Sequence, residues 1–103
     1  MKSFLIIGVG RFGKHLGEKL IELDNDVVII DKDDEVIEKL APNFTDAFVG
    51  DCRNENVLRS LGVNNFDVCF VCIAEDFQAS LEITSMLKEL GAKYVVSTAK
   101  RDR

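Results

Sequence analysis

The sequence has few means of holding a polyanion or of crossing a membrane. It carries 13 basic residues against 18 acidic ones, a formal charge of −5. Its one basic cluster, Lys100-Arg101-Asp102-Arg103, is short and terminal. That balance excludes a general nucleic-acid binder, which needs a basic face to neutralise phosphates. No apolar run reaches the ~18 residues of a membrane span. A secretory signal is not expected either: Lys2 can pass as a basic flank, but Phe4 to Val9 is too short, and a glycine turn stands where a cleavage site belongs. The chain is therefore expected in the cytoplasm, with no direct membrane insertion.

Cysteine is scarce and odd in number: Cys52, Cys69 and Cys72. The last two have the C-x-x-C spacing, but they fall inside an apolar run that reads as a strand. Residues three apart on a strand point to opposite faces, which excludes a redox pair or a metal clip. All three read as small buried apolar residues. His15 is the only histidine and Tyr94 the only tyrosine. His15 is expected exposed on a helix and Tyr94 on the last strand, and neither has a partner that suggests acid–base chemistry. There is no convincing nucleophile, metal cluster or catalytic pair, so the site is expected to bind and not to react. No linker, repeat or low-complexity stretch divides the chain.

What is there is a regular alternation. At 103 residues, 47% apolar and 30% charged, the chain is expected to form one globular domain over residues 1–103. Apolar, β-branched runs at Ser3–Ile7, Val27–Asp31, Asp46–Asp51, Asp67–Ile73 and Lys93–Thr98 read as strands. Helical patterns lie between them, at about Arg11–Leu23, Val36–Leu40, Asn54–Leu61 and Phe77–Leu90. Asp33 or Asp34 is a candidate N-cap for the second helix, which stops near Pro42. Gly62 and Gly91 are expected to close the third and fourth. Strands apolar on both faces and alternating with helices predict an α/β fold: a Rossmann-like doubly wound parallel sheet, order 3-2-1-4-5, with helices on both faces. Gly13 and Gly17 share a face of the first helix and predict its close approach to the sheet. The fourth helix carries a broad apolar surface: Ala79, Ile83, Met86 and Leu90 in one stripe, widened by Phe77, Leu81 and Leu87. That breadth suits either a subunit interface or a helix well buried in its own domain.

The first strand runs straight into Gly8-Val9-Gly10-Arg11-Phe12-Gly13 and then into a helix. G-x-G-x-x-G alone is a weak signal. Placed between a strand and a helix, with Asp31 ending the second strand at about the ~20-residue distance that a dinucleotide fingerprint requires, it is a strong one. Gly8 permits the tight turn, Gly10 the approach of a pyrophosphate, and Gly13 the packing of helix on sheet. The helix start then offers free N–H groups and a partial positive charge. Arg11 is misplaced as a helix-start cation unless it reaches phosphates. Asp31 can bond both ribose hydroxyls and repels a 2′-phosphate, although Lys32 beside it brings the opposite charge. Asp51, at the end of the third strand, suits either the adenine amino group or an N-cap of the third helix. Ala74, at the end of the fourth strand, is small enough to leave room for phosphates or a distal sugar. Glu75 would repel phosphate, and is expected either to help hold a cation or, preferably, to face solvent.

The glycine turn with its Arg11-Phe12, the Val-Ile-Ile-Asp31 strand end, Val49-Gly50-Asp51 and Asp67-Val-Cys-Phe-Val-Cys-Ile-Ala74 together resemble the nucleotide-binding lobe of bacterial potassium-uptake regulators. This is the Trk/Ktr peripheral subunit family, the KTN or RCK N-terminal domain, and the resemblance covers essentially the whole chain. It implies a cytosolic regulator, peripheral to the membrane, that binds NAD(H) or an adenine nucleotide (ATP, ADP or AMP). It also implies assembly as dimers or rings of dimers against a membrane potassium channel or transporter subunit, gated by nucleotide exchange. By position, Gly8, Gly10, Arg11, Phe12 and Gly13, with Val9 between them, would hold the phosphates and Asp31 the ribose. Asp51 with Cys52 would border the adenine. The sequence departs from the family at Glu75, where a small residue is usual, and in ending after the fifth strand, which points to an isolated domain or a split subunit. The competing function is the cofactor domain of an NAD-dependent dehydrogenase lacking its substrate domain. The missing catalytic groups and the Arg-Phe of the turn disfavour it.

Overall fold

Runs of isoleucine and valine become a parallel sheet because such side chains pack well on both pleated faces. In the computed structural model, which describes residues 1–73 and 75–98, the elements are β1 (Ser3–Ile7), α1 (Arg11–Glu22), β2 (Asp26–Asp31), α2 (Asp34–Leu40), β3 (Asp46–Val49), α3 (Glu55–Leu61), β4 (Val68–Val71), α4 (Phe77–Glu89) and β5 (Val95–Ser97). Short 3-10 turns at Ala41–Asn43 and Val63–Asn65 lead into β3 and β4. The sheet order is β3-β2-β1-β4-β5, with every pairing parallel. On either side of β1, Phe4 is level with Val27 of β2 and Val68 of β4. Among the described residues no helix is long and apolar enough to cross a membrane.

The sheet separates two apolar layers. Phe4, Ile6, Val27 and Ile29 face α1 and α2, where they meet Ile37, Leu40 and Phe44. Leu5, Ile7, Ile30 and Val71 face α3 and α4, where they meet Leu58, Ile83 and Leu87. Each fully buried Leu or Ile contributes about 1.5–3 kcal/mol of transfer free energy. Cys69 belongs to the second layer and Cys72 to the first, so the sheet stands between them, and all three thiols are free. α1 sits close on its layer at Gly17, where a Cβ would lie 2.6 Å from Phe44 Cε1 and 3.1 Å from Ile6 Cδ1. The helices end as their sequences require. Asp24 takes a left-handed conformation after α1, and Gly62 and Gly91 do so after α3 and α4.

Several boundaries differ from the sequence reading. β4 is shorter than its apolar run at both ends: Asp67 precedes it, its carboxylate accepting from the Ser3 N–H at 2.8 Å, and Cys72 and Ile73 follow it. β3 is apolar in composition but lies at the sheet edge, leaving Phe48 and Val49 42% and 53% exposed. Only Ala47 packs against the layer under α1 and α2, so the strand is not covered on both faces as its apolar character had suggested. Tyr94 precedes β5 and is exposed, giving the sheet only its carbonyl, which accepts from the Cys69 N–H. On α4 the buried line is Ala79, Ser80, Ile83 and Leu87, with Met86 and Leu90 only partly buried against it. Phe77 and Leu81, one turn apart, remain exposed. The helix is thus both well packed and left with surplus apolar surface.

Candidate functional site

The carboxyl ends of β1, β2, β3 and β4 open into one cleft, at the point where the chain order reverses between β1 and β4. In open parallel sheets this is where ligands bind. Gly8, Asp31, Lys32, Asp51, Cys52 and Glu75 line the cleft together, so six of the residues singled out in the sequence converge there. Its floor is apolar, from Ile7, Ile30 and Ile73. Val9 is instead buried in the layer under α1 and α2, and only its backbone N–H serves the site. Gly13 is buried in α1, whereas Gly10 before the helix and Arg11 and Phe12 in its first turn are exposed. Ala74 lies outside the described residues.

The three glycines of the turn answer to different constraints. Gly8 has φ +93°, and a Cβ there would come within 2.7 Å of the Cys72 carbonyl oxygen. Its N–H donates to the Ile30 carbonyl at 2.9 Å. At Gly13 a Cβ would strike the Gly8 carbonyl oxygen, so the first turn of α1 packs directly on the strand end. Among the described residues, a Cβ at Gly10 would meet nothing within 4 Å. Their packing gives no reason for glycine at that position.

Gly10 is also the N-cap of α1, with no side-chain cap and no acidic residue in the first turn. The other three helices are capped by their own side chains: Asp33 accepts from the Glu35 N–H at 3.0 Å, Asn54 from the Asn56 N–H at 2.9 Å, and Asp76 from the Ala79 N–H at 3.0 Å. α1 therefore presents uncapped N–H groups beside a cleared space, a combination suited to an anionic oxygen.

Asp31 is fixed by two backbone donors. Its Oδ2 accepts from the Val9 N–H at 2.9 Å and its Oδ1 from the Asp33 N–H at 2.9 Å. Each oxygen retains further acceptor capacity, so the carboxylate can still receive hydroxyl donors. Asp51 lines the cleft but does not serve as the cap of the third helix. Asn54, not Asp51, caps α3. The Asp51 Oδ1 accepts from the Arg53 N–H at 3.0 Å and from Nε at 3.2 Å, and Oδ2 accepts from Nη2 at 2.9 Å. Those bonds to Arg53 hold the Asp51 carboxyl low, at about 2. Beside it Cys52 is buried, and burial, reinforced by the charges of Asp51 and Asp31, pushes its thiol up to about 12. Cys52 thus fills the wall as a neutral apolar group.

Arg53 and Asp76 also line the cleft and escaped the sequence reading. Asp76 had a signal, since it sits just before the fourth helical pattern, where caps belong. Arg53 had only its spacing, two residues after an aspartate in a loop. Glu75 and Arg11 are exposed, and among the described residues Arg11 enters no salt bridge. His15 is exposed on α1. Among the described residues no group of three or more His, Cys, Asp or Glu side chains is placed to hold a metal ion. The cleft offers an apolar floor and a fixed carboxylate, and Gly8 at its edge leads into a helix start with no side-chain cap.

Comparison with known proteins bears on the same features. The family model of the TrkA-N domain matches residues 4–103. Ktr system potassium uptake protein C of Bacillus subtilis (strain 168) is 39% identical over 101 residues, covering 98% of this chain and 46% of that protein. The chain spans less than half the length of the Ktr proteins it matches. Among solved structures, the NAD(P)-binding domain of an exopolyphosphatase-related protein from Archaeoglobus fulgidus superposes with a TM-score of 0.75 at 23% identity, over 95% of this chain and 89% of that one. The TrkA-N domain of the inner membrane protein ybaL from Escherichia coli does so with a TM-score of 0.71 at 23% identity, over 94% and 87%. At that identity the structural matches establish the fold alone, a Rossmann-like parallel α/β architecture.

Proposed function

This chain belongs to the TrkA-N domain family, and from that premise we propose that it is the nucleotide-binding regulatory domain of a potassium transport system. Residues 1–103 act as one domain. The ligand is NAD(H) or an adenine nucleotide (ATP, ADP or AMP), and its occupancy changes how copies of the domain assemble against a membrane channel or transporter subunit, and so gates potassium flux. The domain works in the cytoplasm at the inner face of the membrane.

The observation that carries the reading is Gly10. A glycine that no described residue crowds stands at the uncapped start of α1, before open space. A pyrophosphate or polyphosphate chain supplies what both features lack: bulk close to the backbone and acceptors for the free N–H groups. In this pose Gly8, Gly10, Arg11, Phe12 and Gly13 border the phosphates, Asp31 takes the ribose hydroxyls, and the wall from Asp51 to Cys52 borders the adenine. Lys32 flanks the ribose side, while Glu75, which would repel phosphate, faces solvent at the rim. The relatives named as potassium uptake proteins weigh against the alternative, a cofactor domain detached from a dehydrogenase.

The test is a panel of thermal melts with NADH, NAD, ATP, ADP and AMP. A ligand at about 100 times its Kd adds about 2.7 kcal/mol to the folded state, which in a domain of this size raises Tm by on the order of 10 °C. At least one of the five is expected to do so without being consumed. If none moves Tm, or if a bound NAD is reduced by a small substrate, the reading fails.

A further inference from the structure

Arg53 follows Asp51 in the loop between β3 and α3 and lines the cleft with it. Its Nε and Nη2 lie on the two oxygens of Asp51 at 3.2 and 2.9 Å, the planar fork-on-fork arrangement of a guanidinium with a carboxylate. Such bonds occupy the edge of the guanidinium and leave its flat faces free. The side chain is 48% exposed, so a face is open to whatever enters. The cleft floor nearby is apolar, from Ile30 and Ile73, with buried Cys52 in the wall.

We propose that Arg53 is a base-contacting residue, its guanidinium held edge-on by Asp51 so that its face stacks on the heteroaromatic ring of the bound nucleotide. The inference rests on the nucleotide reading above and adds to it the residue that grips the base. A flat, delocalised cation opposite an apolar floor is the setting in which a purine ring gains both stacking and cation–π attraction. Phosphate is the poorer occupant, because the fork that would grip it is already filled, and the Asp51 carboxylate beside it repels an anion. Asp51 then also acts through Arg53: it sets the angle of the guanidinium.

The experiment measures Kd by calorimetry for adenosine, AMP, ADP, ATP and NADH, on the wild-type protein, Arg53→Ala and Arg53→Lys. Because Arg53 is half exposed, both variants are expected to fold, and their melting temperatures check this. Arg53→Ala is expected to weaken every ligand that the wild type binds by one common factor, roughly two- to fivefold, whatever its phosphate count. Arg53→Lys, which keeps the charge but loses the plane, should restore less than half of that loss. A factor that grows with the number of phosphates would make Arg53 an anion contact and overturn the inference. Unchanged affinities, or full rescue by lysine, would overturn it as well. If the wild type binds none of the five, the nucleotide reading falls and this inference with it; if the wild type binds and the variants match it, only the inference falls.

Discussion

The Asp31 carboxylate accepts a hydrogen bond from the backbone N–H of Val9 at 2.9 Å, tying the end of β2 to the glycine turn twenty-two residues earlier. The other oxygen of the same carboxylate holds the Asp33 N–H, two residues into the loop that starts α2. One side chain therefore shapes two loops of the cleft before any ligand arrives.

Asp31→Ala is accordingly expected to cost stability as well as affinity. It strips the acceptor from two backbone donors, a loss of about 1–3 kcal/mol, which lowers Tm by several degrees. Asp31→Asn keeps one carbonyl oxygen and should fall between the alanine variant and wild type. Thermal melts without ligand check this. An alanine variant as stable as wild type would show that the two hydrogen bonds do not support the loops.

The turn glycines offer a cleaner separation of folding from binding. Gly10→Ala meets no atom of the described residues within 4 Å, at a φ of −69° that any residue accepts. Its effect on stability should stay within about 0.5 kcal/mol, since reduced freedom of the unfolded chain opposes the weaker N-cap preference of alanine. Nucleotide affinity should drop by roughly tenfold or more, because the methyl group fills the phosphate space. Gly13→Ala drives a Cβ into the Gly8 carbonyl, which is backbone and cannot swing aside, so a loss of about 1–3 kcal/mol or more is expected. Paired denaturant and binding titrations test the contrast. A Gly10→Ala variant that binds as well as wild type would remove the main support for phosphate at the turn.

The Asp51–Arg53 pair sets a pH dependence. A carboxyl held at about 2, below its ordinary 3.8, binds its proton more weakly in the folded than in the unfolded state. Its stabilisation is complete above pH 3.8 and is lost as pH falls through about 2. The contribution is small, because both side chains are almost half exposed and salt screens them. The carboxyl carbon of Asp51, followed by NMR, should titrate near 2 in the wild type and move back towards 3.8 in Arg53→Ala. A wild-type midpoint already near 3.8 would mean that the pair is not held in solution.

The strands, their order and the glycine turn were legible in the sequence because each is dictated by composition over several residues. Isoleucine and valine runs ending in glycine admit few alternatives, and short connections fix the rest. The close packing at Gly17 and the separation of Cys69 from Cys72 follow from local periodicity, while the cap was narrowed only to Asp33 or Asp34, of which Asp33 serves. Exposure at β3 was not legible, because Phe48 and Val49 look the same in an edge strand as in a central one. The partner of Asp51 was hidden for another reason. Whether an aspartate in a loop caps the next helix or turns to an arginine two residues on depends on backbone angles, which composition does not encode. Asn54, also able to cap, released Asp51 for Arg53.

Consecutive residues of β1 belong to different layers: Leu5 and Ile7 to the side of α3 and α4, Phe4 and Ile6 to the side of α1 and α2. A central strand used in this way is a shared axle. Neither layer can loosen while the other holds, so the described residues should melt as one cooperative unit. The glycine turn is the direct continuation of that axle. A molecule gripping the turn therefore bears on both layers at once, and a contact made at one loop is felt through the whole width of the domain.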